Sequence, residues 1–271
     1  MIDLNTQQEL RIKYNPDGSD LRKGQLRMLE MLKFVDKVCT DNNITYWLDS
    51  GTLLGAARHG GYIPWDDDTD ICMPYKDAEH FKKIMLENNP SNEFVLQCRE
   101  TDKGFFGCWY VLRDLKSEYL QDSLMHKRRE LRGLQIDIFI VENKTLTPLY
   151  WIAAMINSCL VDKPMQHIKS FSLAKKIAIP SFYFVHKIVK PLFRFISPKR
   201  DFVRLTYGSY FYKRFVKNIY PLRKISFEGH DFNCPANFDG YLENIYGSNW
   251  KELPQQIQTH NVEIRFNVSP N

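Results

Sequence analysis

Four aspartates fall within five residues in the string Pro64-Trp65-Asp66-Asp67-Asp68-Thr69-Asp70-Ile71, flanked by the apolar Ile63, Ile71 and Met73. Few features constrain a fold more. Like charges this close repel one another and disfavour strand formation, whereas their flanks ask to be buried. If Ile63–Met73 is extended, period two puts Asp66, Asp68 and Asp70 on one face and Asp67 on the other. Same-face Cα atoms then lie about 6.5–7 Å apart, so the carboxylates of Asp68 and Asp70 can converge on one ion. A divalent cation is the simplest compensation, and hard oxygen ligands favour Mg2+ or Mn2+ over zinc. A calcium loop fits poorly, because Ile71 stands where an EF-hand needs glycine and Asp77 where it needs glutamate.

The bland alternative is a solvated acidic turn. Against it stands Asp137, a single acid inside the apolar strand candidate Leu134–Val141 (LQIDIFIV). A carboxylate in a buried strand needs a partner. A metal shared with Asp68 and Asp70 supplies one; Arg113 or Arg132 would also serve. Upstream, Gly51-Thr52 reads as a turn before a short helix, Leu53 to Arg58. Such a turn offers backbone N–H groups, a hydroxyl and a helix dipole to an anion. Arg58 and Arg113 are candidate phosphate contacts, although exposed arginines are usually only solvated. P-loop and dinucleotide-binding glycine strings are absent.

Around these residues the pattern alternates. A helix is expected from Asp20 to about Asn42, a strand over Ile44–Leu48, a helix over Lys76–Asn88, and strands over Phe94–Gln97 and Cys108–Arg113. Thr145 to Leu205 reads as mostly helical, Ile225–Pro235 as a strand-turn region, and Phe238–Tyr246 as a helix. The expectation is an α/β or α+β core, residues 1–144, with a helical basic insert, 145–224, and a C-terminal element, 225–271, packing back on the core. With 271 residues, 44% of them hydrophobic, the chain can bury a sizeable core and is not globally disordered. The six cysteines form no C-x-x-C pair, and the first twenty residues hold no apolar leader-like run. Structural zinc, a disulfide scaffold and secretion are therefore not expected, and a reducing cytoplasm is.

Net charge is +5, but it is local: residues 163–200 hold nine Lys or Arg and no acid, leaving the remainder at −4. Thr145–Val161 is an uncharged, largely apolar run of 17 residues, and Ile177–Ile196 is similar but carries Lys187, Lys190 and Arg194. Neither suits a transmembrane helix, which needs about 20 apolar residues. Two readings remain: buried helices of an ordinary domain, or an interfacial polybasic insert resting on anionic lipid at the inner face of the membrane.

Strand, Gly-Ser/Thr turn, helix, acidic strand and a third Asp on a later strand resemble the nucleotidyltransferase fold. More closely, LDSGTLLGAARHGGYIPWDDDTDICMP (Leu48–Pro74) resembles the signature of the LicD family, phosphocholine transferases of bacterial cell-surface glycans, related to the fukutin proteins that transfer ribitol phosphate. GLQIDIFIVE (Gly133–Glu142) and FDGYLENIYGSNWKELP (Phe238–Pro254) resemble its third-carboxylate strand and its C-terminal element; residues from about 145 to 225 find no match. The resemblance implies metal-binding roles for Asp68, Asp70 and Asp137 and a phosphate-cradling turn at Gly51 and Thr52. It includes Arg58, Trp65 and Asp66 in the motif without fixing their individual roles. It further implies a CDP-alcohol donor, CDP-choline the commonest, and a glycan acceptor that is commonly lipid-linked. A sugar hydroxyl would attack the phosphorus bearing the alcohol and expel CMP. Asp137 is then the candidate to orient or deprotonate that hydroxyl, and Trp47, Trp65, Trp109 and Trp250 are candidates for a cation–π contact with choline. The rivals are nucleotidyl transfer to a small molecule, a DxD glycosyltransferase, and a non-catalytic membrane-binding module. Nucleic acid is not an expected partner, since the aromatic-basic interleaving of RNA modules is missing.

Overall fold

The structure is a computed structural model and describes residues 2–144, 147–205, 212–257 and 262–266. Thr145 and Leu146, the start of the apolar run noted above, lie outside the described residues.

Helices α1 (Leu4–Tyr14) and α2 (Asp20–Asp41) precede β1 (Trp47–Leu48), α3 (Ser50–His59), β2 (Asp70–Pro74), α4 (Tyr75–Glu87), β3 (Phe94–Gln97), β4 (Tyr110–Asp114), β5 (Ser117–Gln121), α5 (Leu124–Lys127) and β6 (Gln135–Lys144). A helical stretch follows: α6 (Thr147–Asn157), a π-turn, α7 (Lys163–His167), α8 (Phe171–Phe184), a second π-turn and α9 (Lys190–Ile196). The chain then forms β7 (Lys199–Leu205), β8 (Arg214–Phe215), α10 (Val216–Ile219), the hairpin β9 (Arg223–Phe227) and β10 (His230–Cys234), α11 (Phe238–Tyr246) and β11 (Val262–Phe266). The mixed α/β class expected from the pattern is the one adopted.

β6 organises the sheet. Its ten residues form the longest strand, and its apolar composition lets it be covered on both faces. β2 pairs with it in parallel, with Asp70 opposite Asp137, and β4 pairs antiparallel on the other side, with Val111 opposite Asp137. The strand order is β1-β2-β6-β4-β3, with β7 on the far end of β6 and β8 on β7. α2 lies against this sheet because Met28, Met31, Leu32, Val35, Val38 and Cys39 recur at three- and four-residue spacing and are all buried.

Several expectations need correction. The helix expected from Asp20 is capped by Ser19, whose side chain accepts a hydrogen bond from the Arg22 N–H. The strand at Ile44–Leu48 shrinks to Trp47–Leu48. Ile63–Thr69 is not a strand: the chain turns at Pro64-Trp65, the Asp66 N–H donates to the Ile63 carbonyl, and the buried Gln25 amide donates to the carbonyls of Ile63 and Asp66. The carboxylates are thus gathered by a turn rather than by strand alternation, which spares the sheet three adjacent charges. Gly51 and Thr52 lie inside the first turn of α3 and not before it. Within the stretch expected to be helical, Lys199–Leu205 is a strand that rejoins β6. α1, and the antiparallel pair of β5 with β11, were not anticipated.

Candidate active site

α3 is aimed at the acidic loop. Its N-cap is Asp49, followed by Ser50 at φ 44°, a conformation that L residues rarely adopt. A Cβ on Gly51 would lie 2.8 Å from Asp66 Oδ2 and 4.0 Å from Asp70 Oδ2, so glycine is needed for the helix to approach these carboxylates. The Thr52 hydroxyl accepts a hydrogen bond from the Asp70 N–H at 2.8 Å, pinning the start of β2 to the start of α3. Thr52 is therefore a clamp between two elements, with its oxygen already engaged.

Asp66, Asp67 and Asp68 each offer an oxygen within 4.8 Å of the other two, a grouping able to hold a cation. Asp67 is the inward member: buried, it accepts from the Tyr119 hydroxyl at 2.9 Å. Burial, together with the charges of Asp68 and Asp67, drives Asp66 well above the usual carboxylate range. Burial drives Asp70 up in the same way, reinforced by Asp68, Asp137, Asp49 and Asp66. Asp137 is raised by burial too, against the opposing pull of Arg113 and of the Trp109 indole. That indole N–H donates to Asp137 Oδ1 at 3.1 Å, and the Gln135 amide approaches Oδ2 at 3.4 Å. Asp70 feels the charges of Asp66, Asp68 and Asp137, while among the described residues the carboxylates grouped closely enough to share an ion are Asp66, Asp67 and Asp68, not Asp70 or Asp137. Oxygen donors whose charges oppose one another fit a hard divalent cation.

Directly behind lies a cluster absent from the sequence reading. Asp49 is fully buried, with Arg214 Nε at 3.1 Å and Nη2 at 2.6 Å from its two oxygens, and the Tyr241 hydroxyl donating at 2.5 Å. The Trp47 indole donates to Tyr241 at 3.0 Å. Burial raises the Asp49 pKa, but Arg214 and Tyr241 outweigh it and leave the group below the ordinary value. Asp49 and Ser50 stand inside the quoted signature; Arg214 and Tyr241 are remote in sequence and carry no local signal.

The other candidates are placed elsewhere. Arg58, at the far end of α3, donates to the carbonyls of Trp250 (3.2 Å) and Glu252 (2.8 Å), tying the C-terminal element to the core. Trp65 packs edge-on against Tyr14 and His59. Arg113 is fully buried, donating to Gln97 Oε1 and the Gly133 carbonyl at 2.8 Å each, and influences Asp137 through its charge. Of the four tryptophans considered for a cation, Trp47 and Trp250 are buried, and Trp109 alone hydrogen-bonds a site carboxylate. Trp109 also lines a cavity of about 320 Å³ between β4, α4 and the α8–α9 stretch. There Cys108 Sγ lies 3.2 Å from His186 Nε2. Burial pushes the thiol up to about 11 and the imidazole down to about 2, so the pair is neutral and not a nucleophilic thiolate.

Residues 43–172 match the family described as LicD/FKTN/FKRP, nucleotidyltransferase domain. An uncharacterized protein of Rickettsia typhi is 48% identical over 63 residues, 23% of this chain and 20% of that relative's length. The lipopolysaccharide cholinephosphotransferase LicD of Haemophilus influenzae is 26% identical over 265 residues, covering 91% of this chain and 97% of its own. Human ribitol 5-phosphate transferase FKRP is 40% identical over 55 residues, 20% of this chain and 11% of that relative. The matched segment spans α3, the acidic loop and the Asp137 strand, so the part of the chain that carries the candidate site is the part similar to the LicD family.

Proposed function

We propose that this protein is a metal-dependent transferase that moves a phospho-alcohol from a CDP-alcohol to a sugar hydroxyl of a cell-surface glycan, releasing CMP. The alignment along nearly the whole length of a lipopolysaccharide cholinephosphotransferase carries this reading. Phosphocholine is the group that relative's name suggests; the ribitol phosphate transferase keeps CDP-ribitol as the second donor to try.

Asp68, Asp70 and Asp137 are the proposed ligands of Mg2+ or Mn2+, with Asp66 at their edge. A cation bound there supplies charge neutralisation on the donor phosphates. The chain's own contribution is positional. Gly51 opens the approach to α3, whose first N–H groups favour an anion in front of them. Arg214 and Tyr241 fix Asp49 and hence the helix start. Trp109 holds Oδ1 of Asp137, the proposed acceptor of the hydroxyl proton. Burial, which raises its pKa, makes Asp137 a stronger proton acceptor than a surface aspartate. In the reaction the sugar oxygen forms a new bond to the phosphorus bearing the alcohol, the bond from that phosphorus to the CMP oxygen breaks, and the hydroxyl proton passes to Asp137.

The test is CMP release from CDP-choline, CDP-ribitol, CDP-glycerol and CDP-ethanolamine with a glycan acceptor extract, in Mg2+ or EDTA, beside Asp68→Ala. Release that needs both metal and Asp68 is expected from one donor. Incorporation of label from a nucleoside triphosphate, with none from any CDP-alcohol, would replace this reading by nucleotidyl transfer.

A further inference from the structure

Among the described residues, 22 large hydrophobic side chains are exposed, and 13 of them lie between Trp151 and Ile196. Their arrangement is regular. Along the helical stretch from α8 to α9, Ala174, Ala178, Phe182, Val185 and Val189 are buried, at spacings of three and four. Leu173, Ile177, Phe184, Ile188, Leu192 and Phe195 follow the same rhythm displaced by one position, and all are exposed, Phe195 by 84%. The apolar sector of this helix is therefore much wider than the part the protein covers. α6 packs beside α9 and the π-turn before it, and adds exposed Trp151, Ile152 and Met155.

The stretch is tied to the sheet and to α4. Arg194 makes two hydrogen bonds to Glu142, at 2.5 and 2.7 Å, and stacks on Tyr75 with its guanidinium carbon 3.7 Å from the ring centroid. Phe182, Val161 and Met165 form a small core of their own beneath it. Along this stretch the sequence is basic: residues 163–200 contain nine basic side chains and no acidic one, and Lys163, Lys169, Lys176 and Lys187 are exposed.

We infer that α6, α8 and α9 form a membrane-docking plate that lies flat on an anionic bilayer. The stripe from Leu173 to Phe195 enters the headgroup–acyl boundary and the lysines meet lipid phosphates. No helix among the described residues is long and apolar enough to cross a membrane. A second copy of the chain is the weaker occupant. A two-fold face would set this basic segment against its own image and bring like charges together. The inference is independent of the reaction catalysed.

Flotation of the full-length protein with phosphatidylcholine vesicles, with and without one quarter phosphatidylglycerol, tests it. The protein should float with the anionic vesicles and far less with the neutral ones. Lys169→Gln/Lys176→Gln/Lys187→Gln should lower the partition coefficient about a hundredfold, each lysine near an anionic surface being worth roughly fivefold. Ile188→Asp/Phe195→Asp should abolish flotation, whereas Leu4→Asp/Ile12→Asp, at exposed apolar positions on α1, should leave it intact. Far-UV circular dichroism checks that each variant is folded; if the Asp pair unfolds the plate, the lysine variant decides alone. Wild-type protein remaining at the bottom of both gradients would overturn the inference. So would flotation untouched by the lysine variant, or a dimer in sedimentation that Ile188→Asp/Phe195→Asp splits.

Discussion

Asp49 and Asp70 are both buried, a few residues apart in space, and joined by a hydrogen bond from the Asp49 N–H to the Asp70 carbonyl. They behave oppositely. Asp49 is met by a guanidinium and two hydroxyls, and its pKa falls. Asp70 is surrounded by burial and other carboxylates, and its pKa rises. The first is a finished interaction that holds α3 to the C-terminal elements. The second faces mainly other carboxylates. Burying a charge without a compensating partner is costly, and the proposed function assigns Asp70 a cation for that reason.

The largest effect should come from Asp70→Ala. The proposed transfer should fall on the order of a thousandfold, since metal neutralisation of donor charge is worth several kcal/mol. Thermal stability in EDTA should hold or rise, because one of several mutually repelling charges is gone. A clear loss of stability in EDTA would erase the contrast with Asp49. Asp49→Ala should do the reverse at first hand: it strands Arg214 in the interior and should cost about 3–5 kcal/mol in urea denaturation. Asp49→Leu/Arg214→Met should recover much of that loss, because a buried ion pair often contributes little net stability against an apolar replacement. A double variant as unstable as the single one would assign Asp49 a role other than partnering Arg214.

The two acids also differ in how visible they are in the sequence. Asp70 and Asp137 can be found because each interrupts an apolar run that must be buried. Asp49 cannot be read in this way, because its partners stand 165 and 192 residues further along the chain. The acidic loop was legible in content but not in shape: period two suits Asp66, Asp68 and Asp70, yet Pro64-Trp65 and the anchoring Gln25 amide fold it into a turn. Strand β7 (KRDFVRL) was hidden because four of its seven residues are charged and it directly follows a helical stretch. Arg58 and Arg113 look like phosphate ligands in sequence, and only tertiary packing reveals that Arg58 is spent on carbonyls and Arg113 is sealed in the core.

The far end of α3 offers a partnered group of a third kind. His59 accepts from Arg58 Nε at Nε2 (3.0 Å), leaving Nδ1 to meet Gln7 Oε1 at 2.6 Å, so the ring is held neutral. Burial, aided by the Arg58 charge, depresses it to about 3. The unfolded chain takes up a proton near pH 6.5 while the folded one does not, so stability is full above about 6.5 and declines as pH falls toward about 3. Urea midpoints at pH 7 and pH 5 should therefore separate, and His59→Gln, which keeps an acceptor for Arg58, should narrow the gap by about 1–2 kcal/mol. An unchanged gap would mean that His59 is protonated in the folded protein, and that Arg58 is held by the carbonyls alone.

The last prediction tests where the two regions meet. Trp109 reaches from the cavity wall to a site carboxylate, and its indole N–H joins the Gln135 amide and the Arg113 charge in compensating Asp137. Trp109→Phe preserves the ring and its edge contact with Phe105 but deletes the donor. A hydrogen bond to a charged group contributes about 1.5–3 kcal/mol, so the proposed transfer should slow by roughly ten- to a hundredfold in kcat, with little change in melting temperature. Because the lost bond lowered the Asp137 pKa, the acid limb of the rate profile should move to higher pH in this variant. A rate loss without that movement would make Trp109 a wall of the acceptor cavity and not a support for Asp137. The contrast between finished and unfinished carboxylates would then run through Asp70 alone.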